Sequence, residues 1–388
     1  MTTYGMDVQL QIYAKLTNDS VEGVLPVSFE EWEQLARKKL ADGPWGYVAG
    51  GAGSEDTMRA NREAFYAWRI RPRMLRDVSD RDLTVSLYGR TLPAPVLLGP
   101  IGVQSIIHAE AELASARAAA EMGVPFVLST VSSVALEQVA EVMGNAARWF
   151  QLYPGKNRDV IASLICRAEK SGYEAIVVTL DTTMLAWRDR DLRNAYLPFL
   201  QGEGIANFIG DPAFRSLLQK APEEDMQSAI LQFLHVYVNP AFTWRDLAFI
   251  RKQTKLPILL KGITHPDDAK QGLEYGVDGI VVSNHGGRQV DGAVAALDAL
   301  PEVLDAVQGR VPVLMDSGIR RAADVLKAMA LGASSVLIGR PYAYALAAGG
   351  QKGVSLYLRN LLAELDLEIA LSGLKAISEA DLSVLTRV

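Results

Sequence analysis

The chain has 388 residues, 49% of them hydrophobic and 22% charged, with a formal net charge of −6. That is enough apolar material for a large core, and the acidic balance argues against nucleic acid or an anionic membrane as partner. The length would allow two domains, but barrels built from eight strand–helix units reach this size as one.

The start, MTTYGMDVQLQIYAKL, lacks a basic segment followed by an apolar run, so no secretory leader is expected. No stretch approaches the roughly 18 apolar residues of a membrane span, and the ending LTRV is not a peroxisomal address. A cytoplasmic protein is the default expectation. The first 95 residues predict a cap of helices and short strands, with FEEWEQLARKKL at helical spacing. From Val96 onward short apolar runs recur: 96–100, 126–130, 149–153, 176–181, 258–262, 280–287, 313–318 and 336–340. They are near-continuous rather than alternating, which suits parallel strands covered on both faces. Helix-patterned segments such as AELASARAAAEMG and AADVLKAMALG follow several of them. Eight such units predict an α/β fold, a (β/α)8 TIM barrel forming a single domain over 1–388. The alternative, an open doubly wound sheet, normally carries a glycine-rich first turn that is not found here. Cys166, the single cysteine, allows no intrachain disulfide; in the helix-like stretch LICRAEK it reads as a buried structural thiol. Roughly 75 residues separate Asp181 from Ile258, so a long loop insertion over about 190–243 follows the fourth strand. Such an insertion lies over a barrel mouth, as a lid or partly disordered.

Active sites of barrels sit at the C-terminal ends of the strands. Here those ends carry Gln151 and Tyr153, then Thr179, Asp181 and Arg188, then Lys261. Ser283, His285 and Arg288 follow, then Asp316, Gly318 and Arg320, and finally Gly339 and Arg340. Together they make a polar, mostly cationic mouth. DSGIRR and IGRP, after the last two strands, combine glycines that admit a phosphate to the backbone with arginines that can grip it. No cluster has metal-ligand spacing, so no metal is expected. His265 precedes Pro266 and reads as a helix-start residue, while His108 is ambiguous.

SNHGGRQ at 283–289, with DSGIRR and IGRP, resembles the FMN-dependent L-2-hydroxy acid oxidase and dehydrogenase family, which includes glycolate oxidase and lactate oxidase. YVAGGAG (47–53), RPRML (71–75), FQLY (150–153), TLDT (179–182) and LLKGI (259–263) extend the likeness over nearly the whole chain. The resemblance implies FMN as cofactor, and a small-molecule 2-hydroxy acid and molecular oxygen as reactants. Tyr47, Arg188 and Arg288 resemble the groups that hold the substrate carboxylate, and Tyr153 the phenol on its hydroxyl. His285 resembles the catalytic base and Asp181 the carboxylate that stabilises its imidazolium. Lys261 resembles the lysine at the flavin N1–C2=O edge. Ser129, Gln151, Thr179 and Ser283 resemble polar contacts around the ring, and Asp316 the ribityl contact.

Three features are similar to the lactate monooxygenase branch: Gly102 near the flavin, the run from Trp187 to Phe214, and the segment from Leu346 to Gly373. They imply conversion of L-lactate to acetate, carbon dioxide and water. A plain oxidase would release the 2-oxo acid and hydrogen peroxide instead. A non-redox FMN barrel isomerase and a retired flavin-binding protein are the readings from other classes. Family likeness also implies a homotetramer or homo-octamer. His235 or Tyr237 could reach the site from the insertion, and Trp187 could wall the pocket.

Overall fold

The computed structural model describes residues 5–16 and 26–388; residues 1–4 of the start read above lie outside them. Eight parallel strands close into a barrel: β1 (Val96–Leu98), β2 (Phe126–Ser129), β3 (Arg148–Leu152), β4 (Ile176–Thr179), β5 (Ile258–Ile263), β6 (Gly279–Val282), β7 (Val313–Met315) and β8 (Ser335–Ile338). Closure is through β8 against β1, with Leu337 opposite Leu97. Each overlaps one of the eight apolar runs and extends beyond it by at most one residue, at its start or its end. All but β5 stop short of the run ends, where the last residues of the run pass into the loops at the barrel mouth.

Successive side chains on a strand point to opposite faces. Leu97, Val127, Trp149, Val177, Leu259, Val281, Leu314 and Leu337, one per strand, therefore cluster apart from the larger core shared with the helices. A hairpin, Val85–Leu87 with Arg90–Leu92, adds Leu87 and Leu92 to that inner cluster. It fills the end of the barrel opposite the strand C-termini, so the other end is left for a site.

The N-terminal cap is helical, at Phe29–Lys39, Asp42–Ala49 and Asp56–Tyr66. Ser28 and Glu31 form a reciprocal capping box that starts the first of these. The segment after β4 is more ordered than a loop. It folds into helices at Asp189–Arg193, Ala206–Ile209, Pro212–Arg215 and Met226–Tyr237, before the crossover helix Trp244–Gln253. Phe199, Phe208, Phe214, Phe233 and Tyr237 give it a core of its own, with ring centroids as close as 4.8 Å. These aromatics are scattered in sequence, which hides the cluster until the chain is folded.

One expectation is overturned: Cys166 is exposed, not buried. On the helix Arg158–Lys170 the buried face is Ile161, Leu164, Ile165 and Ala168, and residue 166 points away from it. His265 is an N-cap, its ring accepting from the Asp267 N–H.

Candidate active site

At the C-terminal mouth of the barrel the loops enclose a cavity of about 1340 Å³, part of it open to solvent. Tyr47, Gly102, Tyr153, Arg188, Lys261, His285, Arg288, Asp316, Gly318, Arg320, Gly339 and Arg340 all line it. Ser129, Gln151, Thr179 and Ser283 lie just behind its wall, buried.

One end of the cavity is cationic. The helix Asp42–Ala49 and the residue after it present Gly43, Gly46 and Gly50 to the first helix of the insertion. A Cβ at Gly46 would stand 2.7 Å from Asn194, and one at Gly43 2.7 Å from the Tyr196 ring. That close approach sets Tyr47 beside two guanidiniums, Arg288 at 5.3 Å and Arg188 at 5.9 Å from its ring centroid. Arg188 donates to the Arg288 carbonyl at 3.1 Å and to Gln289 at 2.8 Å, and Arg288 donates to the Gly50 carbonyl at 2.8 Å. Burial, together with Arg188 and Arg340, pushes Arg288 down to about 9, still charged at neutrality. Asp191 stands 3.8 Å from Arg188, and one carboxylate beside two buried cations leaves a net positive charge that suits a second anion.

Facing them is a base pair of groups. His285 Nδ1 lies 2.8 Å from Asp181 Oδ1. Burial lowers the proton affinity of the imidazole, against the pull of Asp181. Burial works against the Asp181 carboxylate too, but His285 and Lys261 outweigh it and hold the group below its ordinary range. The result is a neutral imidazole oriented by an ionised carboxylate, the arrangement of a general base. His285, Gly286 and Gly287 all take positive φ (59°, 65° and 74°), which throws the imidazole into the cavity. The loop is held from behind. Asn284 and Asn61 exchange amide hydrogen bonds at 2.8 and 2.9 Å, and Ser317 Oγ accepts the N–H groups of Asn284 and Gly286.

The floor is polar and buried. Lys261 Nζ donates to Ser283 Oγ at 2.9 Å and pairs with Asp316 at 3.1 Å. Burial disfavours its charge, but Asp316 and Asp181 raise its proton affinity above the ordinary value. Ser129 and Gln151 are opposite each other on β2 and β3, and Thr179 is opposite Lys261 on β4 and β5. Gln151 Nε2 and Thr179 Oγ1 are buried without a hydrogen-bond partner among the described residues. Unsatisfied polar atoms in such a layer mark a place where a polar ligand belongs.

The opposite end suits a phosphate. Gly339 would direct a Cβ into open space, and Gly318, at φ +89°, has no room for one beside the Asn61 carbonyl. A helix begins here at Arg340, so the positive end of its dipole faces this end of the cavity. The two arginines differ, however. Arg340 is tied to the carbonyls of Val48, Gly50 and Gly286. Arg320 lies over the Phe29 ring, and its guanidinium has no hydrogen-bond partner among the described residues. Arg320 is therefore the one available to an anion.

From the insertion, Tyr237 is buried against Tyr153 (ring centroids 5.4 Å apart) and lines the cavity, whereas His235 is exposed. Trp187 is 74% exposed and does not line the cavity; Leu185 does. Sequence reasoning missed Met58, Asn61 and Arg62 on the cap helix, and Thr182 beside Asp181, which all line the cavity. For Thr182 a signal was present in its position next to Asp181. For the cap residues nothing local marks them.

A family model described as FMN-dependent dehydrogenase matches residues 36–387. The chain is 45% identical to a protein named L-lactate oxidase from Lysinibacillus sphaericus (strain C3-41), over 93% of each chain. It is 39% identical to the glycolate oxidase of Spinacia oleracea, over 90% of this chain and 92% of that one. Among solved structures, that of mandelate oxidase superimposes with a TM-score of 0.83 at 39% identity, covering 93% or more of both chains (94% of this one and 98% of that one).

Proposed function

The chain belongs to the FMN-dependent dehydrogenase family, and from that premise we propose that it oxidises a small L-2-hydroxy acid, L-lactate first among them, with molecular oxygen as acceptor. The observation that carries the reading is the His285–Asp181 pair facing Tyr47, Arg188 and Arg288 across one cavity. The chemistry that bound FMN supplies is acceptance of two electrons from the substrate and their transfer to oxygen. Lys261, Ser129, Gln151, Thr179 and Ser283 would hold its ring, Asp316 its ribityl chain, and Arg320 with the backbone at Gly318 and Gly339 its phosphate. The unpartnered Gln151 and Thr179 atoms fit that ring. Arg340 braces the phosphate end through the three carbonyls it binds.

Arg188, Arg288 and Tyr47 fix the substrate carboxylate in one pose. Tyr153 holds the substrate hydroxyl. His285 removes a proton from the substrate, and Asp181 stabilises the imidazolium that forms. The insertion over 190–243 acts as the lid, with Tyr237 and Phe199 over the substrate space.

The reaction follows the monooxygenase course, giving acetate, carbon dioxide and water. Gly102 in the cavity wall and the aromatic packing of the lid support retention of the 2-oxo acid until peroxide formed beside it has decarboxylated it. The relative named L-lactate oxidase favours a second reading, release of the 2-oxo acid and hydrogen peroxide. Anaerobic bleaching by L-lactate tests the first step, and peroxide formed per oxygen consumed tests the second. Little peroxide, with acetate and carbon dioxide as products, is expected. One peroxide per oxygen would leave the oxidase reading in place, and absence of bleaching would remove both. Assembly as a homotetramer or homo-octamer in the cytoplasm completes the proposal; no helix among the described residues is long and apolar enough to cross a membrane.

A further inference from the structure

Thr182 follows Asp181 at the end of β4 and lines the cavity. Its Oγ1 donates to Asp181 Oδ1 at 3.1 Å and lies 3.3 Å from His285 Nδ1. The same Oδ1 is 2.8 Å from that Nδ1. Asp181 Oδ2 is buried with no hydrogen-bond partner among the described residues. The side-chain hydrogen bonds to this carboxylate therefore meet on one oxygen, shared between a threonine hydroxyl and the imidazole.

The three distances make a nearly equilateral triangle. When Nδ1–H points at Oδ1 it points well away from the threonine oxygen, so the contact between hydroxyl and ring is not a hydrogen bond in that state. The hydroxyl acts on the carboxylate instead. A donor on an ionised carboxylate stabilises the anion and reduces its strength as an acceptor for a second donor. We propose that Thr182 is a positioning residue for the base: by sharing Asp181 Oδ1 with His285 it weakens the hold of Asp181 on the imidazolium and keeps the imidazole a weaker base than Asp181 alone would make it. This rests on the reading of His285 as base.

Other groups face the pair from neighbouring elements. Lys261 on β5 and Arg188 just before the insertion both disfavour a proton on His285, and Tyr153, after β3, faces Asp181. Tyr153 also meets the Thr182 hydroxyl, so Thr182→Val leaves the charged groups in place and takes the hydroxyl from both Asp181 and Tyr153. With His285 then the sole donor on Oδ1, the imidazole should hold its proton to higher pH, by about half a unit to one unit, the size of one hydrogen bond. Thr182→Ser keeps the donor and should restore the original value.

The experiment is a histidine-¹⁵N NMR titration of the FMN-loaded protein, the His285 resonances assigned by their loss in His285→Gln, alongside kcat/KM against pH. In Thr182→Val the His285 midpoint should rise by half a unit or more and return in Thr182→Ser. The acid limb of kcat/KM should move with it, a threefold to tenfold loss at pH values below the limb. An unchanged His285 midpoint in Thr182→Val overturns the inference whatever the rates do. A midpoint that moves while the limb stays put upholds the effect of Thr182 on the imidazole and overturns the reading of His285 as base. Thr182→Ala serves as a second variant, with the same expected direction, should the valine form fold poorly.

Discussion

His285 sits in left-handed backbone at φ +59°, a conformation that costs a residue with a side chain of order 1–3 kcal/mol. Its N–H donates to Ser283 Oγ, and its neighbours Asn284 and Gly286 are tied to Asn61 and Ser317, which holds it there. Replacement of the ring should leave the loop standing and remove the base. His285→Gln is expected to bind FMN but to slow anaerobic bleaching by at least about a thousandfold, since a general base is worth about 10²–10⁴ and its orienter acts only through it. Near-normal stopped-flow bleaching would remove His285 from the mechanism. The pH dependence has a definite sign. On the proposed reading the base works as neutral imidazole, so activity should be present above its pKa and lost as pH falls through it. Burial lowers that pKa, so the acid limb of kcat/KM should lie below 6.5. A limb above 6.5 would mean that Asp181 outweighs burial.

Between elements, the loop after β1 is fixed by contact on several sides. A Cβ at Gly102 would stand 2.5 Å from Val131 Cγ2 and 2.9 Å from the Val131 carbonyl. Gly204, from the insertion at φ +75°, approaches the same carbonyl, at 3.1 Å for its own Cβ. Gly102→Ala is therefore not a methyl added to open space; either the loop or Val131 must shift. We expect the shift to loosen product retention and move the balance toward pyruvate and peroxide. It should also destabilise the fold by about 1–3 kcal/mol, as overpacking does. Unchanged peroxide yield in a folded variant would detach Gly102 from the outcome. Glu112 joins the same loop to the one after β2, its Oε1 accepting the N–H groups of Gln104 (3.0 Å) and Ser133 (3.1 Å). Burial pushes this carboxyl up to about 7 from the ordinary 4.5. The folded state then binds the proton more tightly than the unfolded one. Stability is fully present below 4.5 and is lost as pH rises to about 7, by about 3 kcal/mol in all. Glu112→Gln keeps an oxygen acceptor and cannot ionise. Urea midpoints at pH 5 and pH 8 should fall less in this variant than in the wild type; equal falls would show that Glu112 does not ionise in that window.

For the molecule as a whole, the ligand is part of the structure. The barrel mouth leaves Gln151 Nε2 and Thr179 Oγ1 unpaired beside a charged Lys261, polar groups that bound FMN would satisfy. Purified protein should be yellow, with one FMN per chain. Removal of FMN should lower Tm, and added FMN should restore it by binding the native state alone, worth about 4 kcal/mol at a thousandfold excess over Kd. FAD identified in acid extracts would contradict the assignment. Sedimentation at micromolar protein should show a closed oligomer of four or eight chains, and a monomer would contradict that part of the proposal.

The barrel was legible because each strand is covered on both faces and so must be apolar throughout, whatever its neighbours are. The polar residues that end those runs, from Gln151 to Arg340, were legible for the same reason: in a run of apolar residues a charge at one end has a purpose. Helix phase could have settled two more points. Ala229, Ile230, Phe233 and Val236 put Tyr237 on the buried face and His235 off it, and the spacing of Ile161, Leu164, Ile165 and Ala168 turns Cys166 outward. What no local pattern carries is the choice of partner across long stretches of chain. Asn61 and Asn284 pair over 223 residues. Arg340, which reads as a phosphate ligand, has its fork taken by three carbonyls, two at the end of a cap helix and one in the loop after β6. Hydrophobic periodicity is a property of one segment and survives reading one segment at a time. A hydrogen bond between distant groups exists only once burial has removed water as the competing partner, and only the closed barrel decides which groups those are.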